Sequence, residues 1–261
     1  MIESLTILTG RGKSHAAEPV ARVDFHMGDI VSVVGPTGSG KTTLINDLEV
    51  FANGNTPSRR QVLVNGLAPS ASMRDDPAAN PIALITQHTT FLSDMPVGDF
   101  LMTHLRVRRP DPARRADLLA QTMDFANQLT GEPIGLTSRM TELSGGQTRA
   151  LLIADATVVC DTPIVLLDEV ENAGIHRTRA LDRLRQHRKI FIFVTHDPHI
   201  ALLSDYRVVL QNGAITKVLH TSAAERELSK TVARLDDIFS GWRERLRLGE
   251  QLQPAEGGVF A

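Results

Sequence analysis

The strongest constraint on the fold is one loop: Gly35, Pro36, Thr37, Gly38, Ser39, Gly40, Lys41 and Thr42 fit the pattern G-x-x-x-x-G-K-[ST]. The run before it, Ile30, Val31, Ser32, Val33 and Val34, is mostly β-branched and apolar, as a buried parallel strand requires. The residues after it, Thr42, Thr43, Leu44 and Ile45, read as the start of a helix. Strand, glycine loop and helix stand in the order in which such a loop holds phosphate. The three glycines let backbone N–H groups converge on phosphate oxygens, and the helix start adds partial positive charge. Lys41 supplies a full charge for β- and γ-phosphates, and the Thr42 hydroxyl is a candidate Mg²⁺ ligand.

The composition is that of an ordinary globular protein. The 261 residues are 42% hydrophobic and 22% charged, enough for one large domain or two small ones. A net charge of −2 gives no general attraction to nucleic acid, so no direct nucleic-acid partner is expected. Cys160 is the only cysteine, which rules out an internal disulfide framework and suits a reducing cytoplasm. Its apolar neighbours make it read as a small buried hydrophobe rather than a reactive thiol. The N-terminus lacks the pattern of a signal peptide, and no apolar run approaches the roughly 20 residues that span a bilayer. The expected location is cytoplasmic, peripheral to the inner membrane face if a membrane partner exists on another chain.

Strand signals recur along the chain. They fall at residues 5–8, 20–25, 61–66 with its closing turn, 82–86, 164–169, 190–194, 206–210 and 214–218. The last two flank Gln211, Asn212 and Gly213, a strong hairpin signal. Residues 67–81, rich in Ala, Ser, Asp and Pro, read as a loop. Residues 97–130 change to helical spacing, with Phe100, Leu101, His104 and Leu105 on one face. Another helix is expected over 176–188. Strands alternating with helices predict a mainly parallel sheet covered on both faces. A helical insertion is expected at about 88–160. Near the end, Leu228, Val232, Leu235, Phe239, Trp242 and Leu246 repeat at four-three spacing on one helix. That seam fits docking on the chain's own body, on a partner, or on a second copy. Residues 249–261 read as a loose tail.

Four further pieces follow the loop in order. They are Gln87 after a strand; Leu143, Ser144, Gly145, Gly146 and Gln147; Asp168 and Glu169 ending a strand; and Val194, Thr195, His196 and Asp197. This set resembles the ATP-binding cassette (ABC) ATPase family over residues 2–218. The resemblance implies an α/β P-loop NTPase core with a mainly parallel sheet, an antiparallel β subdomain and an inserted helical subdomain. It divides the chain into an ATPase domain, residues 1–220, and a C-terminal amphipathic helix with its tail, residues 221–261. It also implies ATP and Mg²⁺ as cofactors. The residues Gly35, Pro36, Thr37, Gly38, Ser39, Gly40, Lys41, Thr42 and Thr43 would hold the nucleotide. Thr42, Gln87 and Asp168 would surround the metal. Glu169 would be the base for the attacking water, with Gln87 beside it and His196 at the γ-phosphate. Ser144, Gly145, Gly146 and Gln147 would act on the nucleotide of an opposing subunit, in a homodimer or a heterodimer with another ABC subunit.

Three positions depart from the family's usual pattern. After the acidic pair stand Val170, Glu171, Asn172, Ala173, Gly174 and Ile175, where the family usually has Pro-Thr-Ser-x-Leu-Asp. The signature is followed by Thr148 and Arg149 instead of Gln-Arg. No aromatic residue lies in 11–17 to stack on adenine; His15 is the only ring there. The resemblance points to the motor subunit of a membrane transporter with a permease partner. The alternative is a non-transport ATPase that assists a soluble partner in metal-cluster or cofactor assembly, or in enzyme activation.

Overall fold

A computed structural model describes residues 1–86, 88–91, 93–109, 111–168 and 177–252. Gln87, Glu169 and the loop from Val170 to Ile175 lie outside the described residues, as do residues 253–261 of the tail.

Two sheets organise the chain. The larger has six strands: β3 (Ile30–Val34), β5 (Ile82–Thr86), β6 (Ile164–Asp168), β7 (Ile190–Val194), β8 (Tyr206–Gln211) and β9 (Ala214–His220). Their order is β5-β6-β7-β3-β8-β9, parallel except for the β8–β9 hairpin. The smaller sheet is antiparallel, with β1 (Ser4–Leu8) between β2 (Arg22–His26) and β4 (Gln61–Val64).

The continuous apolar runs are explained by burial on both faces. Successive side chains of a strand point to opposite sides. In β7, Phe191 and Phe193 enter one core cluster while Ile190, Ile192 and Val194 enter the other. In β6, Val165 and Leu167 divide from Ile164 and Leu166 in the same way. The first cluster is completed by α3 (Val97–Arg108), α4 (Arg115–Leu129), α5 (Gly145–Ala154) and α6 (Arg177–Leu184). The second is closed by the antiparallel sheet and by α1 (Lys41–Glu49), which contributes Leu44, Ile45 and Leu48.

The Asn212–Gly213 turn has positive φ at both positions, 50° and 81°, which is why this dipeptide stands there. Its tip braces the phosphate loop: Gly213 N donates to Ser39 O at 2.8 Å. Arg60, fully buried, donates to Gly213 O at 2.8 Å and pairs with Glu18 at 2.5 Å and Asp47 at 2.9 Å. Glu18 also accepts from Gly10 N and Ile215 N, and Asp47 from the Ser58 hydroxyl. One guanidinium thus ties α1 to the hairpin and the N-terminal loop. Arg60→Met removes the cation and leaves two buried carboxylates uncompensated, so a loss of about 3–5 kcal/mol is expected in urea unfolding. A loss below about 1 kcal/mol would show that the carboxylates find other partners or water.

Three local features add to or depart from the sequence expectation. Residues 67–81 include a short helix, α2 (Ala71–Asp75), started by the Ser70 hydroxyl accepting from Met73 N. Helix α5 widens at its end into a π-helical turn, Asp155–Val159. The C-terminal helix α8 (Ala223–Arg247) forms, but much of its seam is uncovered: Leu228, Phe239 and Leu246 are 52%, 46% and 58% exposed. It rests on α7 (Pro198–Leu203), six residues long and so about 9 Å against about 38 Å for α8, which is too short to cover the stripe.

Candidate functional site: a phosphate cradle at the strand ends

The register of the parallel strands sets the site. Thr86 is level with Asp168, and Asp168 with Val194, at the carboxyl ends of β5, β6 and β7. Ligands of open α/β sheets collect at that edge, where loops leave the strands and helices begin. Strand β3 lies beside β7 and runs into the glycine loop at the same edge. Gln87 and Glu169 directly follow Thr86 and Asp168, but lie outside the described residues.

A cavity of about 490 Å³ opens there. Of the residues expected from sequence, it gathers Thr37, Gly38, Gly40, Lys41, Thr42, Thr43, Asp168 and His196. Gly35, Pro36 and Ser39 are not among the lining residues; Ser39 is buried and Pro36 is exposed. Lys41 Nζ donates to Gly35 O at 2.9 Å and to Pro36 O at 3.3 Å, which holds the ammonium across the loop. Gly40 is the N-cap of α1 at φ 101°, and no side chain caps that helix. A Cβ at Gly40 would stand 2.9 Å from Gly213 Cα, so both left-handed backbone and close hairpin approach require glycine. The uncapped first turn of α1 and the Lys41 ammonium make an anion site of small, fixed geometry.

The opposite wall offers oxygen and imidazole groups. Asp168 is half-buried and His196 is exposed. The segment bearing His196 is fixed by local bonds: Thr195 N donates to Val33 O at 3.3 Å, and Asp197 N to Thr195 Oγ1 at 2.8 Å. Asp197 in turn caps α7 by accepting from His199 N. The Thr42 hydroxyl and the Asp168 carboxylate share the cavity with Lys41, an oxygen donor set that suits Mg²⁺.

Ser144, Gly145, Gly146 and Gln147 are not among the residues lining this cavity. They form the start of α5, where Ser144 and Gln147 make a reciprocal capping box. The Gln147 side chain is engaged with Ser144 N and with the carbonyls of Glu132 and Pro133. His15 is exposed and is not among the lining residues. Lys13, Thr86 and His88 do line the cavity, and sequence reasoning missed them. Lys13 Nζ donates to Gly38 O at 2.7 Å, which puts a second ammonium at the loop. The only available signal was a basic residue in the segment preceding the loop strand.

The sequence profile described as "ABC transporter" matches residues 20–172. The chain is 44% identical over 251 residues to an uncharacterised ABC transporter ATP-binding protein of Methanocaldococcus jannaschii, covering 96% of this chain and 95% of that protein. It is 29% identical to a β-(1→2)glucan export ATP-binding/permease protein of Agrobacterium vitis, over 80% of this chain but only 38% of that protein. Among solved structures, it resembles a dimeric post-hydrolysis ATP-binding cassette bound to ADP and Pi. The TM-score is 0.62 at 19% identity, over 84% of this chain and 99% of the other, a likeness of fold.

Proposed function

We propose, from the fact that the chain belongs to the ABC transporter family of ATP-binding cassettes, that it is the motor driving a membrane permease carried on another chain. It binds ATP and is an ATP hydrolase, as its family is. One observation carries the site assignment: Lys41, the Thr42 hydroxyl, Asp168 and His196 meet around one cavity at the start of α1.

In this reading Lys41 and the α1 amides hold the β- and γ-phosphates. Thr42 and Asp168, with Gln87, hold Mg²⁺, which when bound neutralises phosphate charge. Glu169 accepts the proton of the attacking water, and His196 orients toward the γ-phosphate. The α5 N-terminus, with Ser144, Gly145 and Gly146, faces the nucleotide of an opposing copy or related subunit. Its position outside the chain's own cavity supports that arrangement. Residues 1–220 would be the ATPase unit, with 88–160 its helical part, and residues 221–261 an appendage.

Transport is supported by the names of the relatives, an ABC transporter ATP-binding protein and an export ATP-binding/permease protein. No helix among the described residues is long and apolar enough to cross a membrane, so the reading requires a permease from elsewhere. The motor would then sit at the inner face of the membrane. Affinity purification of the tagged chain from solubilised native membranes should recover an integral membrane protein in stoichiometric amount. Recovery of a soluble enzyme alone would replace transport with the assembly role.

A further inference from the structure

We propose that His104, Asp155 and Cys160 bind a divalent transition-metal ion of the zinc class, at a site none of whose residues lines the nucleotide cavity. The three come together through a local irregularity. Residues five apart on an ordinary α-helix lie about 140° apart around its axis. Here the helix widens over Asp155–Val159, and Cys160 N donates to Asp155 O at 2.9 Å, an i→i+5 bond. That π-turn brings both side chains toward one face. Asp155 Oδ2 then stands 3.8 Å from Cys160 Sγ. Helix α3 supplies the third group: His104 Nδ1 is 2.8 Å from Asp155 Oδ1, and its Nε2 is 3.8 Å from Cys160 Sγ.

The spacing fits a tetrahedral ion. Bonds of about 2.3 Å to sulfur and about 2.0 Å to nitrogen or oxygen set neighbouring ligand atoms about 3.5 Å apart. Sulfur already stands 3.8 Å from one nitrogen and one oxygen, and all three ligand atoms lie within 4.8 Å of one another. Binding closes sulfur by a few tenths of an ångström and breaks the His104 Nδ1–Asp155 Oδ1 contact, the imidazole turning so that one nitrogen, one carboxylate oxygen and sulfur face the ion, with water in the fourth position. The mixture of thiolate, imidazole and carboxylate favours zinc-class ions over Mg²⁺ and Ca²⁺, which prefer oxygen alone. Thiolate and carboxylate together balance the doubly charged cation, so a partly buried site stays neutral. His104 is paired with Asp155 within the site, so the ion takes the place of the imidazole's proton, while the two neighbouring basic side chains are engaged elsewhere. Arg109 donates to the carbonyls of Val158 and Val159, and both Arg109 and Lys189 pair with Asp161. Cys160 is therefore half-buried beside polar groups, rather than the buried hydrophobe its neighbours in sequence imply.

Because Cys160 is the only cysteine, a thiol reagent reports this site alone. With the full chain, Zn²⁺ should slow labelling by an aromatic disulfide reagent at least about tenfold, Mg²⁺ should not, and a chelator should restore the rate. Co²⁺ should develop a thiolate-to-metal charge-transfer band, absent from Cys160→Ser and weakened in His104→Gln. ATP binding by both variants checks their folding. Equal labelling rates with and without Zn²⁺, or a Co²⁺ spectrum without that band, would overturn the proposal. So would Zn²⁺ protection that is undiminished in His104→Gln.

Discussion

Lys41→Ala is expected to weaken ATP binding by about two to three orders of magnitude, measured by calorimetric titration. The estimate follows from what the side chain contributes. Two hydrogen bonds from an ammonium to phosphate oxygens, at about 1.5–3 kcal/mol each, total about 3–4 kcal/mol once desolvation is discounted, and every 1.4 kcal/mol is tenfold in affinity. Lys41 begins with an advantage over a lysine on an open surface. Its ammonium is buried and held by the carbonyls of Gly35 and Pro36, so little side-chain freedom remains to be lost when phosphate arrives. Alanine also leaves those carbonyls beside the phosphate with no cation between them. Lys41→Arg should not rescue binding, because the planar fork does not replace a point charge inside a tight loop. Lys13→Ala should cost less, since the Lys13 side chain is exposed and its ammonium bonds only Gly38 O among the bonds described. Unchanged ATP affinity in Lys41→Ala would reject the phosphate cradle itself.

Much of this site was legible because its signals are local. The glycine loop, the apolar runs at 164–167 and 190–194, and the Asn212–Gly213 turn each occupy a few consecutive residues whose backbone preferences agree with the fold. Ser144 and Gln147 likewise announce a helix start through a capping pair three residues apart. What escaped depends on distant partners. Arg60 follows Arg59 and reads as solvated charge; only the fold brings Glu18 and Asp47 to it. Lys13 reaches the loop because the hairpin at Gly213 packs against its backbone. The π-turn has no periodic signature, since an apolar run such as Val158, Val159 and Cys160 scores the same whether the helix is regular or widened. The C-terminal seam shows the converse. Four-three spacing predicts a helix with one apolar face, but what covers that face is set by neighbours the spacing does not contain.

Glu169→Gln should lower turnover by about 10²–10⁴-fold while leaving ATP affinity intact, the signature of losing a proton acceptor rather than a binding group. Glutamine matches glutamate in size but is neutral and a poor base, so Lys41, Thr42 and Asp168 keep their places around the phosphates. The consequence for assembly is quantitative. A typical starting rate is about 10 s⁻¹, and a 10⁴-fold loss gives about 10⁻³ s⁻¹, hence a half-life near ten minutes. A dimer closed by ATP would then survive a sizing column, whereas a 10²-fold loss would release it within seconds. Rapid-quench hydrolysis and size exclusion with ATP therefore test the base and the paired state together. Normal turnover would reject Glu169 as the base. Turnover slowed by about 10⁴-fold in a chain that stays monomeric with ATP bound would instead reject the opposing-copy role of Ser144, Gly145 and Gly146. Addition of Ser144→Asp to Glu169→Gln separates the two further. Aspartate still caps α5, but its carboxylate repels the opposing γ-phosphate and should dissolve the trapped dimer, while each subunit keeps its own cradle and its ATP.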